Sequence, residues 1–307
     1  MTSTVPPGLP PPLAPNRPEP PCADARRGAR APVAITPVVS SGVVPRPPSR
    51  SAAPRLRAGL VRDRDRGEVL HGEGPPLRLG PWQGDPLTAY VVPVHSGTPC
   101  AAGDIRRALE LLTERGFRSV VTAALAPLDQ AAFLAVGFDV RERLHLLARD
   151  LPPAPAPAVP RDVGLRRGHG QDRDVVLAVD HQAFEPFWQL DGRGLADAIA
   201  ATPSARFRVA VTQRGPRSEL LGYSVIGRAA HRGYIQRLAV TPARHRAGVG
   251  RALLVDGLRW LERRRVRRVM VNTQERNAAA LGLYERAGFE RQPGGLAVLS
   301  RSLGEPT

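Results

Sequence analysis

The stretch LAVTPARHRAGVGRALLVDGLRWL, residues 238–261, decides the fold of the downstream part of the chain. It begins as an apolar strand, passes through a short loop and continues as an amphipathic helix, in which leucines recur at helical spacing from Leu254 to Leu261. The loop carries Gly248 and Gly250 where the helix begins. Because the first turn of a helix presents unpaired backbone N–H groups and a partial positive charge, this arrangement predicts an anion-binding site.

The two glycines fit a bulky anion such as pyrophosphate. Without a Cβ, Gly248 and Gly250 let the backbone come close to the ligand, and Arg246 and Arg251 place positive charge beside it. By itself, a Gly-x-Gly turn is also typical of any tight connection between a strand and a helix. Its meaning therefore depends on the residues that follow.

The segment NAAALGLYERAGF, residues 277–289, follows a short apolar strand. Asn277 opens a helix, Tyr284 lies two turns further on, and Gly288 is suited to the left-handed position after the helix end. Taken singly, Asn277 is typical of a helix N-cap and Tyr284 of a core aromatic residue. Asparagine occurs only at positions 16, 272 and 277, and the closeness of the last two hints that an amide is needed there.

Residues 161–303 resemble the GNAT superfamily, whose motif Q/R-x-x-G-x-G/A is followed by N-x-x-A-x-x-L-Y-x-x-x-G-F. This chain has HRAGVG at 245–250 and NAAALGLYERAGF at 277–289, with His245 in place of Gln or Arg. The resemblance implies an α/β fold of the GNAT acyl-CoA N-acyltransferase type, with a mixed central sheet flanked by helices. It also implies an acetyl-CoA-dependent N-acetyltransferase, with acetyl-CoA as the co-substrate.

The resemblance further implies a role for each motif residue. In the family the fourth strand splays from the fifth, and exposed backbone groups there pair with the pantetheine arm; the matching residues are Leu238, Ala239 and Val240. The pyrophosphate is expected on the backbone amides of Arg246, Ala247, Gly248, Val249, Gly250 and Arg251, with Asn277 near the pantetheine. A neutral amine would attack the thioester carbonyl directly, and Tyr284 would be the catalytic residue that protonates the departing CoA thiolate.

The general base is not evident from the sequence. Bacterial ribosomal-protein alanine acetyltransferases, which the chain also resembles around residues 183–188, carry a glutamate early in the fourth strand, where this chain has Arg232. The candidate bases are Asp180, Glu185, Asp191 and His231, and each is also typical of a helix cap or a solvated charge. Phe184, Phe187 and Trp188 predict an apolar acceptor groove for a small-molecule amine or a peptide N-terminus, with simple core packing as the alternative.

Composition divides the chain into four segments. Residues 1–76 are rich in Pro, Ala, Arg and Gly and predict a disordered tail, or a start site assigned too early. Residues 77–151 predict a degenerate GNAT-like half-domain. The stretch PPAPAPAVP at 152–160 predicts a semi-rigid linker, and 161–305 is the predicted catalytic domain.

An internal repeat in the sequence supports the prediction of a half-domain at 77–151. Segments 102–138 and 247–289 both run helix, apolar strand, Ala-rich helix and Gly-Phe. Gly103-Asp104-Ile105 stands where the second copy has Gly248-Val249-Gly250, and Phe133 stands in place of Tyr284. Chance likeness between Ala- and Leu-rich units is the alternative. We expect 77–151 to cover a sheet edge or one wall of the acceptor site.

Hydrophobic periodicity predicts the elements of the catalytic domain. The predicted strands are 162–167, 207–211, 220–228, 234–240, 268–271 and 297–302, and the predicted helices are 172–184, 190–201, 251–265 and 278–287.

Composition also narrows the class of protein. No run of about 20 apolar residues and no signal peptide is present, so we expect a cytoplasmic protein without a membrane segment. With only Cys22 and Cys100, neither a disulfide framework nor a metal site is expected. The net charge of +16 comes from 44 basic residues that are all Arg and are not interleaved with aromatic residues, which argues against specific nucleic-acid binding.

Three functions stay open at this stage. The first is an active N-acetyltransferase with a primary amine as acceptor, on a small molecule or a protein N-terminus. The second is an acyl-CoA-binding sensor or scaffold without turnover, which the missing base favours. The third is an arginine-mediated nucleic-acid binder, whose affinity would fall steeply with salt.

Overall fold

Both halves of the chain contribute strands to one mixed sheet in the computed structural model, which describes residues 59–63, 67–94, 98–151, 160, 162–213 and 218–304. The upstream elements are β1 (Gly59–Asp63), β2 (Gly67–His71), β3 (Leu77–Pro81), β4 (Thr88–Pro93), α1 (Ala102–Glu114), β5 (Ser119–Leu125), α2 (Pro127–Ala135) and β6 (Asp139–Asp150). The downstream elements are β7 (Val163–Arg167), α3 (Arg173–Ala183), α4 (Gly192–Ala200), β8 (Ser204–Thr212), β9 (Leu220–Ala229), β10 (Arg232–Val240), α5 (Val249–Glu262), β11 (Arg268–Gln274), α6 (Ala278–Arg286), β12 (Glu290–Arg291) and β13 (Leu296–Ser302).

The last long strand of each half lies against strands of the other half. The strand order is β1-β2-β3-β4-β5-β13-β6-β11-β10-β9-β8-β7, with β12 paired to β6. β6 therefore pairs with β11 of the downstream half, while β13 pairs with β5 of the upstream half, and β6 and β13 pair with each other. The two halves exchange their final strands at the centre of the sheet.

The same supersecondary unit occurs twice. β4 and β5 are parallel, as are β10 and β11, and each parallel pair is joined by a crossover helix, α1 or α5. A second helix, α2 or α6, follows each unit. The predicted repeat of helix, strand and helix is confirmed, and so is the predicted α/β fold with a mixed sheet flanked by helices.

The predicted downstream elements are all present, with small shifts at their ends. The helix predicted at 190–201 begins only at Gly192, because the Asp191 side chain accepts a hydrogen bond from the backbone N–H of Gly194 at 2.6 Å and caps the helix. The strand predicted at 268–271 continues to Gln274, because it pairs with β6 as far as Leu144.

The predicted boundary of the disordered tail is wrong. β1 and β2 both lie before residue 76, where disorder was expected, and they form a hairpin. β2 also pairs with β3, and Leu70 is fully buried in the upstream core. Backbone pairing and one buried leucine therefore stabilise a strand in a segment with little hydrophobic periodicity. Residues 1–58 and the linker residues 152–159 lie outside the described part of the chain.

Helices cover both faces of the downstream sheet. α3 and α4 pack on one face, around Tyr223 and Val209, while α5 and α6 pack on the other, around Ile226 and Val269. In the upstream half, α1 and α2 enclose a separate core that includes Phe133. Within the described ranges, no helix combines the length and the apolar character needed to cross a membrane.

Candidate active site

β10 and β11 diverge after a short parallel ladder. They pair over only three positions, from Arg232 with Arg268 to Tyr234 with Met270, after which β11 continues beside β6. β10 keeps its other neighbour, β9, as far as Val240. The backbone groups on the β11 side of the last residues of β10 therefore face a gap in the sheet instead of a partner strand.

One of those backbone groups is occupied by a side chain. Thr241 N–H donates to Leu221 on β9, so the alternation along the strand directs the carbonyl of Val240 toward the gap. The His245 ring lies 3.1 Å from that carbonyl through its Nε2. Because a carbonyl is an acceptor, His245 acts here as the donor. His245 is also the residue that departs from the family motif.

A cavity of about 1150 Å³ extends from this gap over the start of α5. Ten of the eleven predicted site residues line it, and Ala247 does not. The ten are Leu238, Ala239, Val240, Arg246, Gly248, Val249, Gly250, Arg251, Asn277 and Tyr284. The structure thus brings together residues from the strand, the loop and both flanking helices that the sequence singled out.

The loop before α5 has the backbone of an anion site. Gly248 is the N-cap of α5 with φ of 82°, and Arg246 is also left-handed with φ of 59°. Left-handed residues thus alternate with an ordinary one, Ala247, and this alternation turns successive N–H groups toward one point. No side chain of the described residues caps the helix. The helix N-terminus adds its partial positive charge. A Cβ at Gly248 would lie 3.3 Å from Pro160, so this position is restricted by both conformation and space.

The charge around the cavity is positive. Five arginine side chains line it, and no Asp or Glu appears among its described lining residues. Arg244 forms an ion pair with Asp162, and Arg149 donates to the carbonyl of Ala287 at 2.5 Å. The wall of the cavity further along is apolar, with Leu238, Leu258 and Leu283 among its residues. A phosphate-bearing head with an extended, less polar arm therefore fits the residues present.

Asn277 acts as the N-cap of α6. Its side-chain oxygen accepts a hydrogen bond from the N–H of Ala280 at 3.0 Å, which is the structural role that a residue in this position commonly has. This leaves its amide nitrogen as the group that can reach a ligand. The role near the pantetheine stays a prediction.

Tyr284 lies on α6 with its side chain buried, at 6% exposure. Burial raises the pKa of the Tyr284 phenol above its ordinary value of 10, although the positive charge of Arg237 opposes the shift. The phenol is therefore neutral and carries a proton at physiological pH. This is the protonation state that a proton donor requires.

A smaller cavity of about 90 Å³ lies in the gap itself and continues to the α3 face of the sheet. Its lining includes Tyr284 and Asn277, which also line the larger cavity. The remaining lining residues are Leu144, Phe184, Trp188, Ile235, Gln236, Arg237, Leu238, Val271, Asn272, Thr273, Gln274 and Ala280. The gap between the strands thus connects the two faces of the sheet at Tyr284.

Asp180 is excluded as the general base by its partners. Its carboxylate is fully buried and accepts bonds from Arg237 Nε at 2.7 Å and Nη2 at 2.8 Å, from the Tyr223 hydroxyl, and from the Leu190 N–H at 2.8 Å. Arg237 also donates to the carbonyl of Trp188 at 2.7 Å. Both carboxylate oxygens are thus occupied by the guanidinium and two further donors, so neither is free to face a substrate amine. It fixes the position of the 184–190 segment instead.

The other candidate bases do not line the smaller cavity. Asp191 caps α4, and Glu185 is exposed and pairs with Arg276 at 2.7 Å. His231 is exposed at the opposite end of β10. The structure brings none of these side chains to Tyr284, so the predicted alternatives of a cap and a solvated charge are correct for Asp191 and Glu185.

The aromatic side chains predicted to line the acceptor groove pack against a residue from the upstream half. Trp82, 3% exposed, stacks on Phe187 with ring centroids 5.3 Å apart and donates from its indole N–H to the Phe187 carbonyl at 3.3 Å. Trp188 meets both rings edge-on. Arg237 lies over the Phe184 ring, 3.5 Å from its centroid. Neither Trp82 nor Arg237 was predicted from the sequence, although the rarity of tryptophan, with three in the chain, was a usable signal for Trp82.

The start of α1 is the upstream counterpart of the glycine loop before α5. A side-chain carboxylate of the chain itself lies there. Asp104 is buried, and its carboxylate accepts from the N–H groups of Gly74 at 2.8 Å and Glu73 at 3.3 Å. β4 and β5 also stay paired over four positions. Phe133, which replaces Tyr284, is fully buried. These features agree with a degenerate upstream copy. Among the described residues, no three His, Cys, Asp or Glu side chains form a group that could hold a metal ion.

Comparison with known proteins points to one family. The family model described as "Acetyltransferase (GNAT) family" matches residues 179–289. A mycothiol acetyltransferase of Salinispora tropica is 36% identical over 194 residues, which cover 57% of this chain and 63% of that protein. One of Amycolatopsis mediterranei is 30% identical over 218 residues, covering 66% and 71%. The matched segment thus spans less than two thirds of the first of these relatives.

Two solved structures share the fold. A tandem GNAT protein from the clavulanic acid biosynthesis pathway has a TM-score of 0.57 at 16% identity, covering 78% of this chain and 83% of that one. A GCN5-related N-acetyltransferase from Sphaerobacter thermophilus has a TM-score of 0.53 at 18% identity, covering 74% and 76%. At these identities the likeness concerns the fold alone.

Proposed function

Because this chain belongs to the GNAT acetyltransferase family, we propose that it transfers the acetyl group of acetyl-CoA to a primary amine on a small molecule. The observation that carries the proposal is the gap between β10 and β11, which joins the glycine loop and Tyr284 in one pair of connected cavities. The relatives named mycothiol acetyltransferases favour a small-molecule acceptor over a protein N-terminus. The deacetylated form of mycothiol is therefore the first acceptor to test.

Acetyl-CoA supplies an activated acyl group as a thioester. We expect the N–H groups at the start of α5 to bind the pyrophosphate, with Arg246 and Arg251 beside it. The unpaired backbone of Leu238 and Val240 would pair with the amides of the extended arm, which requires His245 to release the Val240 carbonyl. In this arrangement we expect the reacting end of the molecule to lie beside Tyr284.

The chain's own residues then do two things. The smaller cavity orients the acceptor amine on the α3 side of the gap, and Tyr284 donates its proton to the sulfur that leaves. The Tyr284 phenol is protonated at physiological pH even at its ordinary pKa of 10, and burial raises that pKa further. No carboxylate lines the smaller cavity among the described residues, so we expect the amine to enter in its neutral form or to lose its proton through water.

The upstream half completes the acceptor side in this proposal. Trp82 supports the aromatic segment through Phe187, and Leu144 on β6 lines the smaller cavity. We therefore propose that residues 77–151 are a non-catalytic half-domain that forms one wall of the acceptor site of the 161–305 domain.

A sensor or scaffold that binds acyl-CoA without turnover is the alternative, favoured because no carboxylate of the described residues lines the smaller cavity. Tyr284→Phe separates the two. For an enzyme, we expect kcat to fall by about 10²–10⁴-fold, because a general acid is lost, while the Kd for acetyl-CoA stays within about twofold. A scaffold has no transfer to lose. Transfer that survives Tyr284→Phe unchanged contradicts the assigned role.

The cofactor site is tested by calorimetric titration of acetyl-CoA into the full chain and into Gly248→Asp. The added carboxylate would stand at the proposed pyrophosphate site, so binding should be lost. Gly116→Asp is the matched control, because Gly116 has nearly the same φ, 83° against 82°, and no atom of the described residues lies within 4 Å of its Cβ position. If Gly248→Asp binds as well as Gly116→Asp does, the proposed site is wrong.

A further inference from the structure

Two side-chain amides face the gap between β10 and β11, and each has one buried polar atom without a hydrogen-bond partner among the described residues. Gln236 on β10 and Asn272 on β11 stand two residues beyond Tyr234 and Met270, the last pair of the parallel ladder. Both line the smaller cavity. Gln236 is 7% exposed, and no hydrogen-bond partner among the described residues reaches its Oε1 or the Nδ2 of Asn272.

Neighbouring groups fix the orientation of the Gln236 amide. The Thr202 hydroxyl donates to the carbonyl of Ser204 at 3.1 Å, so its oxygen is left to accept from Gln236 Nε2, 3.4 Å away. The carboxamide lies over Gly227, where a Cβ would come within 2.5 Å of Nε2. With its nitrogen directed to Thr202, Gln236 presents an acceptor oxygen that no described residue bonds.

Leaving buried polar atoms unpaired is costly, and native proteins rarely do so without a reason. These two atoms are complementary to each other in chemistry, because one accepts and the other donates. They lie in the cavity that also contains Tyr284, which is where the proposed reaction takes place. The arrangement is that of a binding site for one small polar group.

The chemistry of the two amides selects that group. An ammonium cannot accept a hydrogen bond from Asn272, and a carboxylate cannot donate one to Gln236, whereas a hydroxyl or a carboxamide does both. A neutral amine also could, but the lone pair of the acceptor amine is needed for attack on the thioester carbonyl. The only charged side chain in the described lining is Arg237, and Asp180 balances its charge. The site is therefore built for a neutral ligand group.

We propose that Gln236 and Asn272 are specificity-determining residues that hold a hydroxyl or carboxamide group carried by the acceptor close to its amine. This inference rests on the proposed acetyl transfer and specifies the acceptor as an amino alcohol or an amino amide. It gives a role to Asn272, the rare asparagine that the catalytic motif does not use.

The first arm of the test needs no acceptor. Gln236→Met and Asn272→Leu replace each amide by an apolar side chain of similar size in the full chain. Since they remove unpaired polar atoms, we expect the thermal midpoint to stay level or to rise by about 2–4 °C. Gln189→Met is the matched control, because the Gln189 amide is paired, donating to the carbonyls of His181 at 3.0 Å and Phe184 at 3.1 Å. We expect that control to lower the midpoint.

The second arm measures selectivity with 2-aminoethanol and n-propylamine, which differ by a hydroxyl in place of a methyl group. Rates are compared per concentration of free amine. Wild type should prefer 2-aminoethanol by at least about tenfold in kcat/KM, and both variants should lose that preference. If wild type acetylates neither amine, the stability arm decides alone.

The proposal is overturned if Gln236→Met or Asn272→Leu lowers the midpoint as Gln189→Met does, because the amides would then be structural. It is also overturned if the variants keep the preference for the hydroxyl. Calorimetry with acetyl-CoA, performed first on wild type, separates this from a failure of the proposed function. A chain that does not bind acetyl-CoA refutes both, whereas normal binding with unchanged selectivity refutes the amide site alone.

Discussion

Replacing Asp180 with alanine should destabilise the protein severely. The change leaves the Arg237 guanidinium, whose side chain is 3% exposed, without its counter-charge. It also removes the acceptor for the Tyr223 hydroxyl and the Leu190 N–H. Breaking a buried ion pair from one side costs about 3–5 kcal/mol, which corresponds to a decrease of roughly 150- to 5000-fold in the folding equilibrium constant.

Equilibrium unfolding in guanidinium chloride, followed by tryptophan fluorescence, measures this loss in the full chain. The double variant Asp180→Leu with Arg237→Met removes both charges, and we expect it to recover most of the stability, because apolar replacements of a buried pair are often neutral. It should still impair transfer, since the carbonyl of Trp188 loses its donor. A loss below about 1 kcal/mol in the single variant, or a double variant as unstable as the single, would refute the reasoning.

Three further predictions follow from the contacts described. Arg166 holds the pKa of Asp172 at about 2, below its ordinary 3.8. The ionised carboxylate therefore stabilises the fold above about pH 4, and this contribution is lost as the pH falls to 2. In Asp172→Asn, the free energy of unfolding measured in urea should depend less on pH between 4 and 2. Trp82→Ala should lower the free energy of unfolding by about 3–5 kcal/mol in denaturant. It should also raise KM for the acceptor more than Kd for acetyl-CoA. If both constants rise by the same factor, Trp82 does not act on the acceptor side. A fragment of residues 160–307 leaves β13 with neither of its partner strands and should be insoluble when expressed; a soluble fragment as active as the full chain would refute the role given to the upstream half.

The sequence predicted the downstream elements because their signals are local. The helix 251–265 is observed as Val249–Glu262, and the strand 220–228 as Leu220–Ala229, since apolar spacing and glycine positions act over only a few residues. The residues expected at the cofactor site could be named because motif, loop and helix are adjacent in sequence. Ten of those eleven residues meet at one cavity, while their roles stay predictions.

Long-range pairing could not be predicted in the same way. Asp180 and Arg237 are 57 residues apart, and nothing in either neighbourhood distinguishes a buried pair from two solvated charges. Asp180 therefore stood among the candidate bases. Likewise, the extension of β11 to Gln274 depends on β6, a strand from the other half of the chain. Such pairings depend on topology, which periodicity does not report.

The exchange of β6 and β13 has a consequence for how the protein is made and how it can change. β13 is the last of the described strands along the chain, and it pairs with β5 of the upstream half. Until β13 has been synthesised, the edge of β5 therefore lacks this partner strand. Folding of the two halves is thereby linked. A recombination event that replaced one half would also replace a strand that the other half needs, so we expect the two halves to be inherited together.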